Sequence, residues 1–156
     1  MSRMVKPLRA ITLWQPWASA IALGWKQAET RGRRTLHRGP IAIHAAKVWG
    51  PTQRTAARRL AGVIEKPAHY FDNEPRGAVV CVADLVDCIE MTEGIIIATP
   101  QLEIEFGGWE VGRWAWYLEN VQSLLELDPG PLELRGRQSM WTLTRDETQE
   151  IRRRLA

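Results

Sequence analysis

Apolar residues recur at every second position in several short runs of this chain and at every third or fourth in two longer ones, which predicts short strands interrupted by amphipathic helices. Leu8, Ala10 and Thr12 alternate with Arg9, Ile11 and Leu13, a first strand that enters the turn Trp14-Gln15-Pro16-Trp17. Proline is tolerated at the first helical position, so the small apolar residues from Trp17 to Leu23 read as a short helix, and Gly24 stops it. Trp25 to Arg31 should then run out as a strand. A period of two sends Lys26, Ala28 and Thr30 to one face and Gln27, Glu29 and Arg31 to the other. After Gly39-Pro40, the run from Ile41 to Ala46 is a buried central strand with His44 near its end.

Ala56, Ala57, Leu60, Ala61 and Ile64 have helical spacing, with Arg54, Arg58 and Arg59 on the opposite side, so a helix is expected from about Pro51 to Glu65. Lys66 to Arg76 reads as a loop. Gly77 opens AVVCVADLVDCI, apolar on both faces as a central barrel strand is, with Asp84 and Asp87 as strand-end or turn positions. Met91 to Gly108 breaks into pieces, a short helix or an inserted loop. Trp114, Trp116 and Leu118 then alternate with Ala115, Tyr117 and Glu119. Asp128 to Pro131 is a turn, Leu132–Arg137 and Ser139–Leu143 are short extended pieces, and Thr144-Arg145-Asp146-Glu147 is a capping box that starts a terminal helix, Arg145 to Leu155. The pattern predicts an α+β, mainly β fold: a small β-barrel decorated by two or three helices, ahead of an open α+β sheet.

Composition narrows the function classes. With 156 residues, 45% hydrophobic and 25% charged, the chain has the make-up of one ordinary globular domain, which excludes disorder over most of its length. No apolar run of about 18 residues is present, which excludes a membrane helix, and the N-terminus lacks the apolar region of a secretory signal, so a cytoplasmic location is expected. Cys81 and Cys88 have neither a Cys-x-x-Cys partner nor a matching histidine cluster and read as reduced, buried thiols. No metal or cofactor is expected. Net charge is only +3, but Arg31, Arg33, Arg34 and Arg38 crowd next to Trp14, Trp17 and Trp25. Cations for phosphate and flat rings for bases are what single-stranded nucleic acid or a nucleotide requires, although half or more of the eight tryptophans belong in the core.

Lys26 and Glu29 are the chemically active pair of this region, yet an ideal strand would face them apart. A bulge, or a turn just after Gly24, would bring both to one cleft. His44 is a lone histidine, more often hydrogen-bonded structure than an acid or base.

Four stretches in order, LWQPWASAIALGWKQAETRGRRT, RGPIAIHAAK, GAVVCVADLVDCI and WYLENVQSL followed by RGRQSMW, resemble the ASCH family, the activating signal cointegrator homology domains of the PUA-like superfamily. The resemblance covers most of Leu13 to Trp141. It implies a PUA-like β-barrel with a cleft beside the Gln15-Pro16 helix and a role in RNA or nucleotide recognition. Some small relatives are amidohydrolases acting on N4-acetylcytidine, and others are ribonucleases or binding modules. The amidohydrolase motif Gly-x-Lys-x-x-Thr-x-Arg is met by Gly24, Lys26 and Arg31, while Glu29 stands where the threonine nucleophile would be. Thr30 is next door, on the opposite face by strand alternation.

Two functions follow. As a binding module for RNA or a modified nucleoside, with DNA possible, Arg31, Arg34 and Arg135 hold phosphates. Trp14, Trp17 or Trp141 stacks on a base, and Gln15 or Gln138 reads its edge. As a small hydrolase, Lys26 and Glu29 act on a nucleoside amide or an RNA phosphodiester, with His44 as acid-base partner. A protein-interaction adaptor is the third class, marked by an exposed apolar patch.

Overall fold

The computed structural model describes residues 4–156 and is built on the long strand that the apolar run after Gly77 forms. Along the chain, the strands and helices are β1 (Arg9–Leu13), α1 (Trp17–Leu23), β2 (Ala28–Arg31), β3 (Gly39–Ala45), α2 (Pro51–Val63), β4 (Ala78–Glu90), α3 (Glu93–Ala98), α4 (Gln101–Glu105), β5 (Trp114–Ser123), β6 (Leu132–Glu133), β7 (Trp141–Thr142) and α5 (Arg145–Leu155). The strands make one mixed sheet in the order β2-β5-β4-β3-β1-β7, with β6 paired to the start of β4. β4 holds β3 on one side and β5 on the other, both antiparallel, while β1 and β3 are parallel. Its register shifts between Ile43 and His44 on the β3 side, and at Val82/Asp84 and Leu85/Asp87 on the β5 side. Each irregularity adds twist, and the sheet curls into a half-barrel. Asp84 and Asp87 therefore lie within the strand beside these irregularities, not at its end as expected.

Among the described residues, three apolar clusters fix the layers. The largest joins Ile11, Ile43, Val80, Leu85 and Trp116 of the sheet to Ala18 and Ile21 of α1. A second, with Leu8, Val82, Trp141 and Ile151, seats α5. The third closes α1 on α2 through Ala20, Ala57, Leu60, Phe71 and Phe106. Among the described residues, five helices are present where two or three were expected, because the broken stretch from Met91 to Gly108 forms the short α3 and α4. Neither short helix has a fully buried residue. α5 begins at the predicted box: the Thr144 hydroxyl accepts from the Glu147 amide at 3.1 Å, and the Glu147 carboxylate accepts from the Thr144 amide at 2.8 Å.

Gln15 belongs to this framework rather than to a ligand site. It is fully buried; its Nε2 donates to Ser19 Oγ and to the Pro75 carbonyl, both at 2.7 Å, and its Oε1 accepts from the Ser19 amide at 2.9 Å. Both amide protons are engaged inside the fold, so none remains for a base edge. The side chain serves as the cap that the Pro16 start of α1 lacks, and it ties that start to the 66–76 loop. Gln15→Leu keeps the volume but strands the Ser19 amide and the Pro75 carbonyl. The expected cost is about 3 kcal/mol in urea unfolding, from buried polar groups left without partners.

Candidate functional site

Gly24 ends α1 in the left-handed region (φ 88°), and the amides of Trp25 and Lys26 both donate to the Ala20 carbonyl, at 2.9 and 3.2 Å. The chain turns there, and β2 begins only at Ala28. Lys26 thus precedes the strand, and the alternation expected from Trp25 onward does not apply to it. The turn brings Lys26 and Glu29 together: Nζ lies 3.7 Å from Glu29 Oε1 and donates to the Phe106 carbonyl at 3.1 Å, with the lysine only 1% exposed. Arg31 Nη2 stands 3.4 Å from Glu29 Oε2, donates to the Thr12 carbonyl at 3.3 Å, and the guanidinium lies over the Trp116 ring. Glu29 Oε1 also accepts from the Thr30 amide at 2.9 Å.

A pair of charges this close attracts by about 4 kcal/mol at an effective dielectric constant near 20, while burial costs each ion several kcal/mol. The cluster is held by the Phe106 and Thr12 carbonyls as much as by its own charges. Behind it, burial pushes the Glu103 carboxyl up, opposed by a hydrogen bond from the Gln27 amide and by the charge of Lys26.

These side chains wall a cleft of about 600 Å³ that also includes Trp14, Trp17 and the Gly107-Gly108 segment. Thr30 lines it too, its hydroxyl accepting from the Gly108 amide at 2.8 Å, because the 107–108 segment folds over the edge strand. Strand alternation alone had placed Thr30 on the far face. At the rim, Arg59 of α2 meets Glu105 of α4 at 2.9 Å, and Arg113 donates to the Thr30 carbonyl at 3.2 Å.

A second cleft of about 1020 Å³ adjoins the first and shares Thr12, Trp14 and Arg31 with it. Its walls carry Lys47, Arg76, Arg135, Arg137 and Gln138, and His44 lies on its floor. His44 is therefore not a partner of Lys26 and Glu29, which line the other cleft. It is 2% exposed and engaged on both nitrogens: Nε2 donates to the Leu134 carbonyl at 2.8 Å, and Nδ1 accepts from the Thr12 hydroxyl at 3.2 Å. Parallel pairing of β1 with β3 puts Thr12 directly beside it. Burial moves the imidazole down from its ordinary value, so the neutral ring is the form that holds the 134–139 loop.

The remaining candidates separate by exposure. Trp14 is 51% exposed at the junction of the clefts, Trp17 is a half-buried wall, and Trp141 is a core residue, edge-on to His44 with ring centroids 5.9 Å apart. Trp141 has no free face for a base. Arg34 is exposed on the turn after β2 and lines neither cleft. Lys47, Arg76, Arg113 and Arg137 were not singled out from the sequence, since nothing local marks a lysine at a strand end or an arginine in a loop as facing a cleft. Among the described residues, no three His, Cys, Asp or Glu side chains converge as metal ligands.

The family model for the ASCH domain matches residues 11–127. The chain belongs to the ASCH domain family. It is 31% identical over 85 residues, 53% of its length, to activating signal cointegrator 1 of Homo sapiens, of which it spans only 15%. Among solved structures, it is similar to ASCH from Zymomonas mobilis, with 18% identity over 93% of both chains and a TM-score of 0.57. A point-mutant form of that protein matches at 20% identity over 95% of this chain and 98% of that one, with a TM-score of 0.53. These likenesses establish the curled, mainly β ASCH fold. The 134–139 loop lies beyond the residues matched to the family.

Two outcomes test the loop clamp. A Cβ at Gly136 would lie 2.5 Å from His44 Cε1 and 2.8 Å from Thr12 Oγ1, so Gly136→Ala must lift the loop, with an expected loss of about 1–3 kcal/mol in urea unfolding. The lowered His44 value means that the unfolded chain binds the proton more readily. Its contribution should be complete above the ordinary value of 6.5 and fall as pH drops below it, which the difference in urea midpoint between wild type and His44→Asn from pH 7.5 to 5 measures.

Proposed function

We propose that this ASCH domain is an RNA- or nucleotide-recognition module in which Trp14 stacks on a base at the junction of the two clefts. The observation that carries this reading is the placement of Trp14: a half-exposed indole that lines both clefts, as Arg31 does. An exposed tryptophan costs free energy in water unless a ligand covers it, and stacking on a base contributes about 1–3 kcal/mol. Beyond the ring, the Lys26 ammonium and the Glu29 carboxylate offer a donor and an acceptor to a base edge, which backbone contacts alone would not discriminate. Gln138 and Arg135, exposed on the wall of the larger cleft, are free to meet the base edge and a phosphate. A cytoplasmic location accords with this role, and DNA is the competing ligand.

The 3.7 Å approach of Lys26 to Glu29 in a partly closed cleft supports a second reading, hydrolysis. Glu29 would take a proton from water as the water oxygen attacks the carbonyl of an N-acylated nucleoside such as N4-acetylcytidine, which Lys26 polarises, and would return that proton to the departing N4 as the C–N bond breaks, leaving acetate and cytidine. No threonine nucleophile is then needed, because water attacks directly. His44 has no part in it, being engaged in the other cleft.

Both readings are tested on the folded protein. Trp14→Ala, an exposed change, should weaken binding of a short single-stranded RNA about tenfold, with the melting temperature nearly unchanged. Unaltered affinity in a fluorescence anisotropy titration would remove the stacking role. Release of acetate from N4-acetylcytidine by wild type but not by Glu29→Gln, with RNA affinity retained, would make the hydrolase the function instead.

A further inference from the structure

We infer that a separate face of the molecule, around α3 and the start of β5, docks a basic segment of a partner protein, with one apolar side chain of that segment seated between Trp25, Ile95, Ala98, Pro100 and Tyr117. The cavity there, about 370 Å³, shares no wall residue with either cleft. Its occupant is therefore additional to the ligand that meets Trp14.

Charge is segregated along β4. From Asp84 to Glu119 the chain carries eight acidic residues and one base, Arg113, although its net charge is +3. That stretch forms the far half of β4, α3, α4 and the first half of β5, whereas the cleft of Lys47 and Arg135 adjoins the start of β4, where β6 pairs with it. Among the described residues, Asp87 is paired with Arg38 and Glu105 with Arg59, while Glu93, Glu103 and Glu119 form no ion pair. All three stand at the cavity. Glu103 lines it, Glu93 precedes Gly94 of its wall, and Glu119 follows Tyr117 by two residues on the same face of β5.

The negative potential is felt inside the cavity. Burial, and after it the charges of Glu103 and Asp87, push the Tyr117 phenol up. Glu103 Oε2 is enclosed without a hydrogen-bond partner, and Lys26, whose charge it feels, is engaged by the Phe106 carbonyl and Glu29. A lysine or arginine at the mouth is attracted to such a place, and a polyanion is repelled from it.

The apolar surface decides between a polypeptide and a small amine. α3 carries Ile95, Ile96 and Ile97 in a row, none of them buried, and Ile97 is 84% exposed. Leu102 of α4, next to Glu103, is exposed as well. Neither Ile97 nor Leu102 belongs to the cavity wall. A free amine in the cavity would leave both in water, whereas a chain that enters the cavity with one side chain covers its surroundings with the next. Carboxylates on three elements, α3, α4 and β5, match several bases spaced along a segment rather than one.

The test screens labelled peptides of about ten residues in which a central Leu, Met or Phe is flanked by Lys and Arg, read by fluorescence anisotropy against the full chain. Binding should weaken as salt rises, and it should be lost when the central residue is Ser or the bases are Glu. Ala98→Arg, an exposed change that narrows the mouth and adds a repelling charge, should weaken the tightest peptide about tenfold with the melting temperature nearly unchanged. Glu93→Gln combined with Glu119→Gln should make the salt dependence shallower. No binding anywhere in the panel, or wild-type affinity in a folded Ala98→Arg protein, would overturn the docking site. Equal binding of the Ser or Glu peptides would overturn the match of apolar anchor and base. Phenethylamine bound as tightly as the peptide would make the cavity a small-amine site instead. A dimer seen by light scattering for wild type but not for Ala98→Arg would seat a second copy of the chain there and overturn the foreign partner.

Discussion

The buried ammonium of Lys26 is the constraint from which the arrangement of the two clefts follows. An ammonium at 1% exposure must find oxygen partners inside the protein, and Lys26 has the Phe106 carbonyl and the Glu29 carboxylate. The first contact fastens the end of α4 to the turn after α1. The second holds Glu29 where Arg31 can reach it, and Arg31 in turn reaches back to the Thr12 carbonyl at the end of β1. One chain of charge-assisted contacts therefore connects α4, β2 and β1, and its members form the wall of the smaller cleft. The turn that permits it depends on Gly24, whose positive φ a residue with a side chain rarely adopts.

Thr12 and Arg31 have a second consequence, because both also line the larger cleft. Thr12 passes the constraint to His44 through the parallel register of β1 and β3, and His44 passes it to the loop that bears Arg135 and Arg137. A histidine that first looks like an acid-base group thus acts as a neutral tie. Its burial favours the uncharged ring, and the hydrogen bond to the Leu134 carbonyl requires the proton on Nε2. The exposed ring of Trp14 stands where these two lines of contact meet.

The same distinction between local and long-range constraint explains which residues of the two clefts were legible in the sequence. Arg31, Lys26, Glu29 and Trp14 sit within one short stretch whose turn signals and crowding of charge and indole rings mark it as special. Gln15 and Trp141 carry equally suggestive chemistry, but packing against Pro75 and His44, residues far away in sequence, places both inside. Lys47 and Arg76 carry no local signal. They become neighbours of Arg135 only because β6 pairs with the start of β4.

By itself, the sequence determined that the strands exist and roughly where they lie, though not where β2 begins or how short β6 and β7 are, together with α2, the extent and capping box of α5 and the stop at Gly24, because each follows from spacing over a few residues or from the φ freedom of one. It also carried the ordered stretches that mark an ASCH domain. Tertiary structure alone decided that Lys26 faces Glu29, that Thr30 joins their cleft and that His44 serves a different cleft. Those outcomes depend on where a turn ends and a strand ladder begins, and on which distant segment covers an edge, and periodicity along the chain encodes neither. A shift of one residue in the start of β2 would reverse every face assignment around Lys26 while leaving the local pattern almost the same.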